Sequence, residues 1–187
     1  MPLIKGLLEI DGSTIIERSL ALLGAFSDNI IISTNDPAYY YRYGVNMVGD
    51  VLDVRGPMTG IYSVMLSGSS DRYLVTACDM PFIREGLVRT LVSANADTDA
   101  VVPVFKGEPQ PLCGIYSRRL LGRLYDNIIG KRCSISRFLD EIDTYFIDEE
   151  RVRDNDPDGI SFTNINTLAD LREVEGGGVC LDSASRN

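Results

Sequence analysis

The chain has 187 residues, 44% of them hydrophobic and 24% charged, which is typical of one globular domain with a substantial core. Its net charge of −9 argues against a nucleic-acid partner, because a protein that neutralises phosphates needs a basic face. The sequence contains no histidine, which excludes serine–histidine and cysteine–histidine catalysis.

Segments of helical period alternate with short β-rich segments, a pattern that is typical of an α/β fold. Thr14 and Glu17 form a capping-box pair that predicts the start of a first helix. Strands are predicted at 29–34, 45–50 and 72–78. A helix is predicted to begin near the proline of the sequence GPMTG, and another to follow the third strand.

The second half of the chain continues the alternation. Strands are predicted at 99–105 and 111–116, on either side of a turn-rich connection, and two helices follow them. A further strand is predicted at 144–148. We expect 151–159 to be a surface loop because it is rich in charge, and 161–171 to end the fold as strand, turn and helix.

No apolar run approaches the roughly 18–20 residues that span a bilayer, and no cleavable leader is recognisable. We therefore expect a cytoplasmic protein without a membrane partner. The expected organisation is a single domain over residues 1–175 and a disordered tail over 176–187.

Asp79, in the sequence CDMPF, is the strongest candidate for a functional residue, because a buried strand runs directly into this acid. Ligands of open α/β sheets bind beyond the carboxyl ends of the strands. A carboxylate at that place can hold Mg²⁺ together with phosphate and water oxygens. The alternative is that Asp79 only caps the helix that follows.

A second candidate is the segment 55–60, where Gly56 lets another molecule approach the backbone and Pro57 suits a first helical turn. Amides at such a helix start can meet a phosphate or a base edge. An ordinary loop-to-helix junction has the same pattern. The preceding Asp50, at the end of a strand, slightly favours the binding interpretation.

The sequence NINT at 164–167 is a third candidate. Capping of a helix by Asn166 or Thr167 explains it without any ligand, although an asparagine carbonyl can also be a second oxygen ligand to a metal. Two weaker pairs complete the set. Ser33 and Asn35 can bond a base or ribose or simply form a turn. Lys131 and Arg132 can meet a phosphate or form a solvated basic pair.

Four motifs, in matching order, resemble the molybdenum cofactor guanylyltransferase family. They are KGLLEIDG at 5–12, VGD and GPMTGI within 48–61, CDMPF at 78–82 and NINTLADL at 164–171. The resemblance covers most of the chain and is specific as a set. It implies a three-layer, Rossmann-like nucleotidyltransferase fold (GT-A-like) with a mostly parallel sheet.

The resemblance also implies roles for individual residues. Nucleotide-binding positions fall at Lys5, Ser33, Asn35, Asp50, Gly56, Pro57 and Asp79. Among these, Lys5 and Asp79 are the implied catalytic residues: the lysine contacts the GTP phosphates, and the aspartate binds Mg²⁺ and the nucleotide. Ser33 and Asp50 correspond to guanosine contacts, with Asn35 close by.

On the acceptor side, the resemblance implies that Asn164 and Asn166 face the metal and the pterin phosphate, with Asn166 as a metal ligand. Lys131 and Arg132 are the candidates for further substrate contacts. The implied reaction is attack by the terminal phosphate of molybdopterin on the α-phosphorus of GTP. Molybdoenzymes or their chaperones are the further expected partners.

The family pattern places a strand and a glycine-rich loop directly before the lysine that Lys5 matches, whereas Met1 stands four residues before it. That strand is expected to be central, so that its neighbours at 29–34 and 72–78 either pair with each other or keep open edges. We expect weak or absent transfer from residues 1–187 alone. Three explanations for the missing strand and loop are possible: the protein begins further upstream, another chain supplies the loop, or the chain is an inactive relative.

Two other functions stay open at this point. One is a non-catalytic module that binds a nucleotide or molybdopterin, and the other is a sugar-phosphate nucleotidyltransferase. Retention of Asp50, Asp79 and Asn166 argues against the module, and the motifs at 48–61 and 164–171 fit the sugar-phosphate enzyme less well. The preference for guanine over cytosine depends on the resemblance alone.

Overall fold

Strands and helices alternate in the computed structural model, which describes residues 4–94, 97–165, 167, 169 and 170. The strands are β1 (Glu9–Ile10), β2 (Ser13–Thr14), β3 (Ile31–Ser33), β4 (Asn46–Val48), β5 (Arg72–Thr76), β6 (Ala100–Phe105), β7 (Glu108–Pro109), β8 (Cys113–Ser117) and β9 (Thr144–Ile147). The α-helices are α1 (Ile15–Gly24), α2 (Pro57–Ser67), α3 (Glu85–Ser93), α4 (Leu121–Ile129), α5 (Ile135–Glu141) and α6 (Glu149–Arg153). Short 3₁₀ helices lie at Lys5–Leu7, Pro37–Tyr39, Tyr41–Tyr43, Arg118–Leu120 and Ile160–Phe162.

The larger sheet has the strand order β5–β8–β6–β7, with β9 also paired to β6. Strand β8 is antiparallel to both β5 and β6, whereas β9 is parallel to β6. Strands β3 and β4 form a separate parallel pair, and β1 with β2 a short antiparallel one. The α/β class is confirmed, but the described sheet is mixed. The connection 106–112 is shorter than the roughly twelve residues that a parallel crossover requires.

Strand β6 is covered on both faces, and this makes the fold three-layered. Ala100 and Val102 belong to one core, with residues of α2, α4 and α5. Val101 and Phe105 belong to the other core, with residues of α3 and α6. Because successive strand residues point to opposite faces, a single apolar strand can supply both cores.

Strands β3 and β5 are not paired with each other among the described residues, and each has one strand partner only, β4 and β8 respectively. Between them lies a groove of about 550 Å³. Its apolar walls come from α1, α2 and the two strands and include Ile16, Leu20, Ile32, Ile61, Val64 and Leu74. The two strands therefore have open edges towards this groove. The central strand that the family resemblance implies between them stays a prediction.

The capping box at the start of α1 is confirmed. Thr14 Oγ1 accepts the amide hydrogen of Glu17 over 3.3 Å, and Glu17 Oε2 accepts that of Thr14 over 2.8 Å. Two donors at the helix start are satisfied reciprocally in this way. The predicted start of α2 at Pro57 is confirmed as well.

The prediction of a surface loop over 151–159 is partly wrong: 154–159 contains no helix or strand, but 151–153 belongs to a helix and two residues of the loop are buried. Asp148 accepts the amide hydrogen of Arg151, and this cap begins α6 (Glu149–Arg153). Asp156, which composition alone places in solvent, is completely buried. Charge content misled the prediction because the cation that compensates Asp156 is Arg84, which lies far away in the sequence.

The strand predicted at the start of 161–171 is also wrong, since the chain forms the 3₁₀ helix Ile160–Phe162. The carboxylate of Asp156 accepts the amide hydrogens of Ile160 and Ser161, which draws the backbone into a turn. The tail at 176–187 lies outside the described residues. Within the described ranges, no helix is both long enough and apolar enough to cross a membrane.

Substitution of Gly159 by alanine should strongly destabilise the fold. Gly159 has a φ of +67°, and a side chain there would overlap the Phe105 ring. Left-handed backbone costs about 1–2 kcal/mol for an L-residue and overpacking adds about 1–3, so we expect a loss of roughly 2–5 kcal/mol in urea unfolding.

Gly107→Ala is the matched control. Its φ is +76°, but no atom lies within 4 Å of the added Cβ. Only the backbone term of about 1–2 kcal/mol should appear. Equal losses in the two variants would contradict the packing of the 156–165 loop on Phe105.

Candidate active site

Asp79 lies in the turn after β5, where its carboxylate meets the ammonium group of Lys5. Lys5 Nζ is 3.2 Å from Asp79 Oδ2, and the two side chains are 39% and 22% exposed. A partly exposed ion pair contributes little to folding stability, so this pair can exchange its partners without unfolding the chain. It brings a cation and a carboxylate together at one solvent-facing place.

Asp79 does not cap the following helix, so that alternative is wrong. Helix α3 begins at Glu85 after Arg84, and no side chain caps it. The backbone carbonyl of Asp79 instead accepts the amide hydrogen of Ile165 over 2.8 Å. That bond brings Asn164, the next residue back along the chain, beside Asp79.

A cavity of about 230 Å³ adjoins Asp79. Its polar lining comes from Asp79, Gln110 and Asn164. The remaining lining residues are Ala77, Met80, Pro111, Leu112 and Cys113. The cavity therefore has polar groups able to orient a substrate and an apolar part able to accept a less polar fragment.

Gln110 is a candidate that the sequence analysis missed. The amide hydrogen of Gln110 is donated to the carbonyl of Pro103, and its side-chain Nε2 donates to the carbonyl of Glu108. A glutamine in a turn-rich connection has no sequence signal of its own. Only the pairing of β8 with β5, which places Cys113 opposite Thr76, brings it to the cavity.

A second polar group lies at the carboxyl ends of β3 and β4. Asn35 Nδ2 donates to Asp50 Oδ2 over 2.8 Å, and the amide of Asp50 donates to Asn35 Oδ1 over 2.7 Å. The parallel pairing of the two strands brings these residues together. The reciprocal bonds orient a carboxylate that can accept further donors, since each of its oxygens has two lone pairs.

The start of α2 packs against the end of β3. An added Cβ on Gly60 would lie 2.8 Å from Ser33 Oγ, so glycine permits the close approach of helix and strand. Gly56 has a φ of +147°, which side chains rarely adopt, and Pro57 follows as the first helical residue. The structure thus gives the sequence GPMTG a local role in addition to the implied nucleotide contact.

The groove between β3 and β5 connects these two groups of residues. Its lining includes Ser33 and Gly60 on one side and Cys78, next to Asp79, on the other. Of the implied nucleotide positions, Ser33 itself lines this groove, and Asp79 is the residue after the groove residue Cys78. Their contacts with a nucleotide stay predictions.

Two of the remaining candidates lie apart from this site. Lys131 and Arg132 lie in the turn after α4, where Arg132 Nε donates to Asn127 Oδ1 over 2.9 Å. Among the described residues, no hydrogen bond or ion pair joins that turn to Asp79 or Asn164. Asn166 lies outside the described residues. The substrate and metal roles of these three residues stay predictions.

The donors at Asp79 suit a hard cation. Carboxylate and amide oxygens are ligands that Mg²⁺ accepts, and it takes its other ligands from phosphates and water. Asp79 and Asn164 line the same cavity and can supply such oxygens. The described residues contain no group of three or more His, Cys, Asp or Glu side chains that could hold a metal ion.

Cys78 reports on the charge of the neighbouring pair. Cys78 is exposed as a residue, but its thiol is partly desolvated, and this desolvation raises the pKa of the thiol. The negative charge of Asp79 raises the pKa of the thiol further. Lys5 acts in the opposite direction and lowers the pKa of the same thiol. Removing one charge or the other should therefore change the reactivity of Cys78 with opposite signs.

We expect Asp79→Asn to speed alkylation of Cys78 by iodoacetamide at pH 8 roughly threefold, and Lys5→Met to slow it by a similar factor. Below its pKa, a thiol becomes more reactive as the pKa falls, because more thiolate is present. The rate is followed by mass spectrometry of the peptide that contains Cys78.

Two controls accompany this measurement. Asp71→Asn removes a carboxylate just before the first residue of β5, at the end remote from Cys78, and should leave the alkylation rate of Cys78 unchanged. Burial raises the pKa of Cys113 to about 12, so its peptide should stay unmodified in every variant. Shifts of the same sign in the Asp79 and Lys5 variants would contradict the arrangement.

Comparison with known proteins identifies related sequences over most of the chain. The model of the MobA-like NTP transferase domain matches residues 1–144. The molybdenum cofactor guanylyltransferase of Desulfosudis oleivorans is 32% identical over 167 residues, which cover 89% of this chain and 83% of that protein. The probable molybdenum cofactor guanylyltransferase of Pelotomaculum thermopropionicum is 29% identical, with coverages of 89% and 82%.

A solved structure is similar as well. It is the molybdopterin-guanine dinucleotide biosynthesis protein A from Archaeoglobus fulgidus, with a TM-score of 0.78 and 26% identity. The match covers 92% of this chain and 89% of that chain.

Proposed function

This chain belongs to the MobA-like NTP transferase family, and we propose that it transfers GMP from GTP to the terminal phosphate of molybdopterin, releasing pyrophosphate. Its relatives identify it as a nucleotidyltransferase of molybdenum cofactor biosynthesis. The observation that supports the finer proposal is the Lys5–Asp79 pair beside the cavity lined by Asn164.

The reaction requires no general base from the protein. A phosphate monoester has a second pKa of about 6 and is largely ionised at neutral pH. One of its oxygens attacks the α-phosphorus of GTP, the new P–O bond forms, and the bond to the bridging oxygen of pyrophosphate breaks. Pyrophosphate leaves with that electron pair, so a chain without histidine can support the chemistry.

The residues of the chain then act by positioning and by charge. The ammonium group of Lys5 would neutralise negative charge on the triphosphate, and the carboxylate of Asp79 would hold the cation. Mg²⁺, when bound there, withdraws charge from the phosphate oxygens. Asn164 and Gln110 line the cavity that would receive the acceptor phosphate.

The guanine-binding part of the proposal rests on Asn35 and Asp50. Guanine presents two adjacent donors, N1–H and the exocyclic amine, and a carboxylate is suited to accept both. Asn35 donates one hydrogen bond of 2.8 Å to the Asp50 carboxylate and accepts one of 2.7 Å from the backbone amide of Asp50, so that both the side chain and the backbone of Asp50 are held. Cytosine presents an acceptor next to its amine, so an oriented carboxylate favours guanine.

Asp79→Asn should lower the rate of GMP transfer at least about a hundredfold, because the charge that holds the cation is lost. Lys5→Met should lower it by a similar factor. The assay follows α-phosphate-labelled GTP into the dinucleotide form of molybdopterin. Asp71→Asn, which keeps the site intact, should retain the wild-type rate.

The same assay decides between the alternatives. A labelled sugar nucleotide formed with a sugar phosphate, and none with molybdopterin, would identify the sugar-phosphate enzyme. Nucleotide binding without any product would favour the non-catalytic module. The weak turnover expected from the resemblance for residues 1–187 also stays a prediction, which the measured rate decides.

Asn35→Ala should weaken binding of Mg²⁺–GTP about tenfold in a calorimetric titration, since Asp50 loses the partner that orients it. Binding of Mg²⁺–CTP should change much less, so that the preference for GTP narrows. Asp36→Ala, next to Asn35, is the matched control and should leave both affinities unchanged. If the Asn35 variant kept the wild-type preference for GTP over CTP, Asn35 and Asp50 would not recognise the base.

A further inference from the structure

Asp156 is a carboxylate that the structure buries completely. An isolated charge in the protein interior is strongly destabilising, so such a group persists only when hydrogen bonds and an opposite charge compensate it. The partners of Asp156 therefore indicate what its burial holds in place.

Those partners belong to two different loops. Asp156 Oδ1 accepts the amide hydrogen of Ile160 over 3.1 Å, and Oδ2 accepts that of Ser161 over 2.9 Å. From the other loop, Arg84 Nε lies 3.3 Å from Asp156 Oδ1. The carboxylate thus fixes its own loop at 160–161 and binds the end of the loop that begins at Asp79.

A second bond reinforces the same junction. The amide hydrogen of Arg84 is donated to Ser161 Oγ over 2.9 Å, and Ser161 is itself fully buried. The two residues are 77 positions apart in the chain. Together with the carboxylate of Asp156, they join the loops 79–84 and 156–165 at one end.

The opposite ends of the two loops are joined by the backbone bond from Ile165 to Asp79. Phe82, Ile160 and Ile165 also lie in one buried apolar cluster with Leu8 of the segment after Lys5. The loops are therefore joined at both ends and packed against each other. Asp79 and Asn164 lie at the end remote from Asp156.

We propose that Asp156 is a positioning residue, which joins the loops 79–84 and 156–165 and so keeps the Asp79 carboxylate at a fixed place relative to Asn164. The inference rests on the function proposed above. Asp156 does not line the cavity beside Asp79, and it acts through Arg84 and Ser161. Groups that orient a metal-binding carboxylate typically change metal affinity by about 10- to 100-fold.

The test uses Asp156→Asn in the full chain, which preserves volume and one acceptor oxygen but removes the charge. Hydrogen exchange should become faster in both 79–84 and 160–165, with the strands β6 and β8 unchanged. The Mg²⁺ concentration for half-maximal GMP transfer should rise about tenfold, with a lower kcat. Asp158→Asn, an exposed carboxylate two residues away, should change none of these values.

Arg84→Gln removes the same ion pair from the other loop and should reproduce both effects. If the two residues act through one contact, the double variant should be no worse than either single variant. This second variant also tests the inference if Asp156→Asn does not fold. Additive effects of the two substitutions would contradict a shared contact.

Two results would overturn the inference. One is a lower unfolding midpoint with unchanged Mg²⁺ dependence, which would make Asp156 a stability residue only. The other is faster exchange confined to 160–165, which would show that Asp156 does not hold the Asp79 loop. If the wild-type chain transfers no GMP, that result bears on the proposed function and on the weak transfer expected of residues 1–187, and the exchange experiment still decides whether the loops are joined.

Discussion

The burial of β6 on both faces fixes the positions of the other elements around it. A shift of this strand by one residue would exchange Val101 with its neighbours and place each set of side chains in the wrong core. Its register therefore determines that of β8, and β8 in turn determines that of β5. Asp79 follows β5, and Gln110 precedes β8, so two parts of the site are placed by pairings that begin at the centre of the sheet.

The elements that could be predicted from the sequence are those with local signals. Helix α1 is specified by its own capping box, and α2 by a proline in its first turn. The 3₁₀ helix Ile160–Phe162 could not be predicted, because it depends on the buried carboxylate of Asp156, whose ion-pair partner Arg84 lies far away in the chain. The charge-rich sequence around Asp156 resembles a solvated loop until those partners are in place.

The residues of the site also divide into those with a local sequence signal and those placed by distant parts of the chain. Asp79 could be found because an acid directly after an apolar strand is a local pattern, and the geometry of α/β sheets gives that position its meaning. Lys5 has no comparable pattern and was identified only by resemblance, although the structure places its ammonium 3.2 Å from Asp79. Gln110 could not be found at all, since its position depends on the antiparallel return of β8. Asn35 and Asp50 were separate candidates, and only the parallel pairing of β3 with β4 explains why they act as a pair.

The ion pair between Lys5 and Asp79 also affects which ligands can enter the site. A lone cation that approaches the carboxylate must displace an ammonium group, and a lone phosphate that approaches the ammonium must displace a carboxylate. A cation already bound to a polyphosphate offers a new partner to each side at once, so that neither charge is left without compensation. The pair therefore favours a cation and an anion that arrive together over either ion alone.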